Sequence, residues 1–326
     1  MTLQVLDISP QTYKPHLLHS ANRNWIESNC WQDMMVEVLN ALGLEPLACC
    51  AFTLSTDFEG DQWTLFKFPP EDLRTIFGLE VEEIYVWRPV IEHVEENLLL
   101  GRLLTIEADA WFLPDTAGIT YRSGHVKTGI VPQKLDRAER KLHYFHNAGY
   151  FELSGDDFDG VFGLDRPRDP EVLFPYVEVI KLEHLRRPDP ATLRDAALRL
   201  TREHLSRRPD TNPMSRFKKR LEGDLAWLES LGEEAFHSYA FATCRQCGAN
   251  AEVASSFVEW LEGADGQKHA SLAVDELRNI AETAKRLQFA LARVARHRQV
   301  DLDAPFDVLE KAWETAMDVL LSSHGG

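Results

Sequence analysis

Asn24-Trp25-Ile26-Glu27-Ser28-Asn29-Cys30-Trp31 is a polar approach that delivers one cysteine to the start of a strongly patterned stretch. From there apolar residues fall at Trp31, Met34, Met35, Val38, Leu39 and Leu42. This i, i+3, i+4, i+7, i+8, i+11 spacing predicts a helix buried along one face, with Gly43 as its C-cap. A helix N-terminus carries free N–H groups and partial positive charge. A thiol held there loses its proton more readily, and the thiolate is the nucleophile. The competing reading is an inert core cysteine, because free cysteine is among the most buried residue types.

Bulk properties narrow the class. The chain has 326 residues, enough for two domains, and 44% of them are hydrophobic, as in ordinary globular proteins. No apolar run approaches the roughly 18 residues of a membrane span. The opening MTLQVLDISPQTYKP lacks the basic and apolar regions of a signal peptide. Five cysteines, an odd number, argue against a disulfide framework. The expectation is a soluble cytoplasmic protein without a membrane partner. A net charge of −17 argues against general nucleic-acid binding. The charge is uneven, however. Residues 181–220 hold twelve cationic side chains against five carboxylates, net +7. That segment is either solvated helix surface or a docking face for an acidic partner.

The texture of the chain changes near Pro188-Asp189-Pro190. Before it, strands are expected over 44–53, 63–68, 82–87, 102–111, 125–131 and 142–153 (the last two paired with each other), and 175–182. Short helices are expected after Pro69-Pro70, over 90–100 and over 156–162. Beyond it the pattern is helical, over 190–206, 213–231, 233–246, 249–264, 269–298 and 304–322. The predicted architecture is an α+β domain over residues 1–187 followed by an all-α domain over residues 188–326.

A cysteine nucleophile needs a base, and the base needs a group to orient it. His125 is the leading candidate: it follows Ser123-Gly124 and opens an apolar strand. His143 and His146 compete with it. For the orienting group, Asn147 in a turn-like segment and Asp109 at a strand end both qualify. An oxyanion hole needs the Cys30 backbone N–H and a side-chain amide. Asn24, six residues before Cys30, or Asn29 could supply the amide; Asn29 is equally a helix N-cap.

Asn24, Asn29-Cys30-Trp31, the amphipathic helix behind them and Gly124-His125-Val126 together resemble a papain-like fold, in which a glutamine lies six residues before the cysteine. With Asp109-Ala110-Trp111-Phe112-Leu113-Pro114, they are most similar to the papain-like acyltransferases of the butirosin-biosynthesis type. This resemblance covers roughly the first 155 residues through short motifs. The whole chain also resembles a bacterial family of unassigned function encoded near amino acid:carrier-protein ligases and small acyl carrier proteins. The resemblance implies a cysteine acyltransferase. Cys30 would take an acyl or aminoacyl group from the phosphopantetheine thioester of an acyl carrier protein and pass it to a small-molecule amine, with no cofactor bound to the chain itself. A papain-like amide, peptide or thioester hydrolase is the alternative, and a catalytically inactive binding module of the same fold is a third. The distance in sequence from His125 to Asn147 exceeds that in papain. An acidic carrier would meet the basic segment at Arg186, Arg187, Arg207, Arg208, Lys218 and Lys219. The same family resemblance marks Arg245 and Gln246 as facing an acceptor pocket.

Other signals are weaker. Cys244-Arg245-Gln246-Cys247 is a CxxC pair without a second pair to complete a zinc site, so helix packing is the expected role. Asp57–Asp61 is calcium-like in composition but lacks the ligand register. No phosphate loop, dinucleotide fingerprint or HExxH is present, and no metal is expected.

Overall fold

The cysteine stretch forms helix α1, Cys30–Ala41. Asn29 is its N-cap, with extended backbone and a side chain that accepts from the Gln32 N–H at 3.0 Å. The computed structural model describes residues 1–164, 174–263 and 270–325. The chain divides into two compact units. One comprises Met1–Ser20, Asn29–Pro46 and Pro69–Arg187; the other comprises Ala21–Ser28, Leu47–Phe68 and Pro188–Gly326. The second unit therefore takes two segments from the half of the chain that the sequence pattern assigned wholly to the first domain.

The first unit is α+β, built on one antiparallel sheet. Its strands are β1 (Thr2–Gln4), β2 (Glu80–Glu83), β3 (Leu103–Asp109), β4 (Lys127–Asp136), β5 (Lys141–His146), β6 (Gly149–Ser154) and β7 (Val177–Lys181). They run in the order β2-β7-β3-β4-β5-β6. β4 is long enough to pair with β3 through its first residues and with β1 through its last. The sequence pattern ended this strand at Val131, before Pro132. The strand continues because the proline, which has no N–H to give the ladder, falls where the register shifts between Pro132 and Lys134.

Helix α1 packs on β4 and β5 with Met34, Met35, Val38 and Leu39 fully buried. Each such side chain contributes about 1.5–3 kcal/mol by leaving water. Gly129 makes room for the helix: a Cβ there would lie 3.3 Å from Met34 Cε. The other helices of this unit are α2 (Pro70–Phe77), α3 (Val90–Leu99) and α4 (Asp156–Phe162). The opposite face of α1 carries a buried polar cluster. The His19 ring pairs with Glu37 through Nδ1 and with Asp33 through Nε2 at 3.4 Å, while Tyr13 and the His16 N–H also bond Glu37. Burial pulls the His19 pKa down, but the two carboxylates outweigh it and hold it at about 9.

The second unit is helical. Its helices are α5 (Pro190–Ser206), α6 (Pro213–Leu231), α7 (Glu233–Ala240), α8 (Gln246–Glu262), α9 (Ser271–Val294) and α10 (Asp303–His324), with a five-residue π-helix, Phe241–Arg245, leading into α8. Residue 264, where one helix was expected to end, and residue 269, where the next was expected to begin, lie outside the described residues. Phe217, Phe236, Phe257, Phe306 and Leu287 are among its fully buried side chains. The run expected as a strand over 44–53 is instead a 3-10 helix, Pro46–Ser55. An apolar run buried all round carries no period, so it cannot by itself separate a helix from a strand. The strand expected over 63–68 is absent from the described residues; only an isolated bridge joins Trp63 to Phe58.

Candidate functional site

The site begins with the β3–β4 register. Asp109, the last residue of β3, stands opposite Lys127, the first of β4, and the Ala110 N–H donates to the Val126 carbonyl. The chain between them turns through 3-10 helices at Ala110–Phe112 and Pro114–Thr116 and returns to deliver His125 beside Asp109. The His125 Nδ1 lies 2.6 Å from Asp109 Oδ2. The imidazole also stacks on Trp111 at 4.5 Å between centroids and an interplanar angle of 10°. The ring is thus fixed on one edge by a carboxylate and on one face by an indole, yet its side chain is 69% exposed. Nδ1 is committed to Asp109, which leaves Nε2 as the edge available for proton transfer.

His125 and Asp109 line a cleft of about 360 Å³ with Glu107, Lys127, Phe112, Gly160 and Val161. Gly160 is required there: a Cβ would lie 2.1 Å from the Phe112 ring. Lys127 bonds Glu107 at 2.7 Å. That bond is the main reason its pKa is raised, and the Cys30 sulfur adds to the effect. Cys30 therefore lies within electrostatic range of Lys127. The packing agrees. Met34 sits against Gly129; one turn back along α1 is Cys30, and one pleat back along β4 is Lys127. The helix N-terminus, with its thiol half-buried, meets the same end of the sheet as His125. Among the described residues no hydrogen bond joins the Cys30 sulfur to a histidine ring; catalytic hydrogen bonds often close only with substrate bound. Beside Cys30, the Trp31 Nε1 donates to the buried Glu178 at 2.5 Å.

The other candidates fall elsewhere. Asn147 occupies the β5–β6 turn with a φ of 43°, a turn former's role, and no hydrogen bond links it to His125 among the described residues. Nine residues of extended chain separate His125 from Lys134, the cross-strand partner of His143, so roughly 30 Å lies between them. Burial lowers the His143 pKa. His146 is buried, with Nδ1 2.6 Å from Asp115 and Nε2 2.9 Å from Thr128 Oγ1. Asn24 belongs to the second unit, where its exposed backbone N–H donates to Glu252 at 2.9 Å.

The basic residues are largely engaged. Arg186 donates to the Arg74 and Thr75 carbonyls, Arg187 to the Leu42 carbonyl and Arg208 to the Leu205 carbonyl. Arg207 pairs with Glu203, and Lys218 with Asp303 and Asp307. Lys219 is exposed, with no ion pair among the described residues. Arg186 and Arg187 belong to the first unit and the others to the second, so the basic segment of the sequence is shared between units. Arg245 donates through Nε to the Ser28 carbonyl at 3.0 Å, and Gln246 Oε1 is buried with no hydrogen-bond partner among the described residues. Cys244 and Cys247 are fully buried; burial pushes the Cys244 thiol up to about 12, and the Cys247 sulfur rests 3.8 Å from that of Met214. Among the described residues no cluster of side chains suits a metal ion.

The sequence reading missed Lys127, Glu107, Phe112 and Gly160. It quoted Trp111 only within a family motif, because an indole in a sequence does not announce a stacking partner. Among the described residues no helix is long and apolar enough to cross a membrane. A search of curated proteins returns no match. Models of the two domains of one family match residues 14–182 (DUF1839 N-terminal domain) and residues 190–322 (DUF1839 C-terminal domain). These matches span most of the sequence, and the chain belongs to the DUF1839 family, whose function is unassigned.

Proposed function

We propose that the first unit is a papain-like cysteine acyltransferase with Cys30 as nucleophile, His125 as base and Asp109 as the residue that orients the base. The observation that carries this reading is the 2.6 Å His125–Asp109 pair at a cleft mouth, at the sheet end that the N-terminus of α1 meets. The cleft is lined by a base and its orienting group, and the helix-start thiol lies in electrostatic range of Lys127 on its wall; base, orienting group and thiol are the set that nucleophilic acyl transfer requires. In the proposed reaction Cys30 attacks a thioester carbonyl presented on the phosphopantetheine arm of a carrier protein. The arm leaves as a thiol, taking the proton that His125 accepted from Cys30. An amine then attacks the Cys30 thioester, gives its proton to His125 and departs as the amide, which regenerates the thiol. The backbone N–H of Cys30 is the proposed donor to the oxyanion.

Hydrolysis is the second reading, favoured by one observation: a His125 side chain 69% exposed admits water as readily as an amine. The test is mass spectrometry of the full chain incubated with an aminoacylated carrier protein. The expected result is an acyl adduct on the Cys30 peptide, absent in Cys30→Ala, that an added amine converts to an amide. Conversion only to free acid selects the hydrolase, and no adduct on Cys30 under any acyl donor refutes both.

A further inference from the structure

The second unit gathers two cations, Arg245 and Lys285, around the segment Trp25–Ser28. Trp25 is its buried centrepiece. The indole Nε1 donates to the Ala281 carbonyl of α9 at 3.0 Å, and a Cβ on Gly248 of α8 would lie 2.4 Å from the ring. The Lys285 ammonium lies 4.2 Å from the same ring centroid. Arg245, one turn before Gly248, reaches across to the Ser28 carbonyl, three residues beyond Trp25. Arg245 and Lys285 thus both reach the Trp25–Ser28 segment, and burial together with the Arg245 charge lowers the Lys285 pKa.

The neighbouring carboxylates compensate the two cations only in part: Arg245 forms a long ion pair with Glu27, and Lys285 forms none among the described residues. Glu27 stands 3.8 Å from Arg245, beyond hydrogen-bond length. Glu252 is occupied by the Asn24 and Trp25 N–H groups and by Arg23. Among the described residues no carboxylate forms an ion pair with Lys285. Bringing like charges together costs free energy that an anion placed between them would recover. Apolar surface lies alongside. Phe241, under the Arg245 guanidinium at 4.8 Å, is 53% exposed, and Phe289, one turn beyond Lys285 on α9, is 61% exposed. Arg245 also ends the π-helix Phe241–Arg245, an irregularity concentrated at functional sites.

We infer that Arg245 and Lys285 bind a phosphate or carboxylate group carried on a ligand with an apolar portion, which lies on Phe241 and Phe289. Arginine supplies forked donors and lysine a point charge, a pairing suited to oxyanions. Arg245 is also the residue that the family resemblance marks for an acceptor pocket, but the test does not depend on Cys30 chemistry. Titration calorimetry of the full chain would compare phenyl phosphate, phenylacetate and neutral benzyl alcohol. The anions should bind and the alcohol should not, and whichever anion binds tighter identifies the head group. Lys285→Met, which keeps the apolar stem on Trp25, should weaken anion binding roughly tenfold or more. Cys30→Ala should bind as the wild type does. Anion binding unchanged in a folded Lys285→Met variant, or no tighter than that of the alcohol, overturns the site.

Discussion

The first unit contains two histidine–aspartate pairs of the same length, and their surroundings set them apart. His125 and Asp109 meet at 2.6 Å with side chains 69% and 35% exposed; His146 and Asp115 meet at 2.6 Å with side chains 2% and 5% exposed. The buried pair is closed on every side. The Tyr144 hydroxyl donates to Asp115, and Thr128 takes the far nitrogen of His146. The open pair leaves the far nitrogen of His125 facing a cleft. Hydrogen-bond length therefore does not distinguish the buried pair from the open pair to which the proposed chemistry is assigned. What distinguishes them is whether the second ring nitrogen is already used, since a buried polar network is stable only when every member is satisfied.

Substitutions can break that comparison, and the largest effect belongs to the nucleophile. Cys30→Ala should abolish acyl-adduct formation and lower turnover by several orders of magnitude, as loss of a nucleophile does, with an unchanged melting temperature. Residual turnover near wild type removes Cys30 from the chemistry. The two histidines should then behave oppositely. His125→Ala should cost roughly 10²–10⁴-fold in rate, the range of general acid–base catalysis, and little stability. His146→Ala should take away the partner of Asp115 Oδ2 and of Thr128 Oγ1 and cost about 2–4 kcal/mol of stability by denaturant titration. If His146→Ala loses rate at full stability while His125→Ala does not, the roles are reversed.

A third histidine sharpens the same lesson through pH. The folded pKa of His19, about 9, is above the unperturbed 6.5, so the protonated ring favours the fold. The sign follows from linkage: the stabilisation is fully present below pH 6.5 and is lost as pH rises through about 9. Its size is on the order of 3 kcal/mol. Denaturant midpoints should fall across that window in the wild type and fall less in His19→Gln, and equal slopes in the two would disprove the account. The smallest effect concerns the proposed carrier protein. Because Arg207 is paired with Glu203 and Arg208 with a carbonyl, charge reversal at both should slow carrier association only a few-fold and should not alter Cys30 alkylation. A larger, salt-sensitive loss would show that these side chains exchange partners on docking.

Local signals were legible where they were complete. Pro190 after Asp189 and Pro213 after Asn212 each combine an N-cap with a first-turn proline, and α5 and α6 start there. The spacing from Trp31 to Leu42 marked α1 for the same reason: each contact repeats every turn. The run over 47–54 was misread because it is buried all round and offers no period. The attachment of residues 21–28 and 47–68 to the helical unit was invisible, since their partners, such as Glu252 for Trp25 and Phe217 for Phe58, lie more than a hundred residues away.

By itself the sequence determined that Cys30 would sit at a helix start, that the chain would turn helical after Pro188, and that His125 would follow a loop into a strand. Each depends on residues within a turn or two of each other, where propensity and capping act. Only the tertiary structure decided which side chain orients His125. Asp109 and Asn147 were equal on paper. The antiparallel register placed Asp109 opposite Lys127 and sent Asn147 to a hairpin turn. Strand pairing is set by contacts between distant segments, and a histidine acquires its partner only after those segments meet.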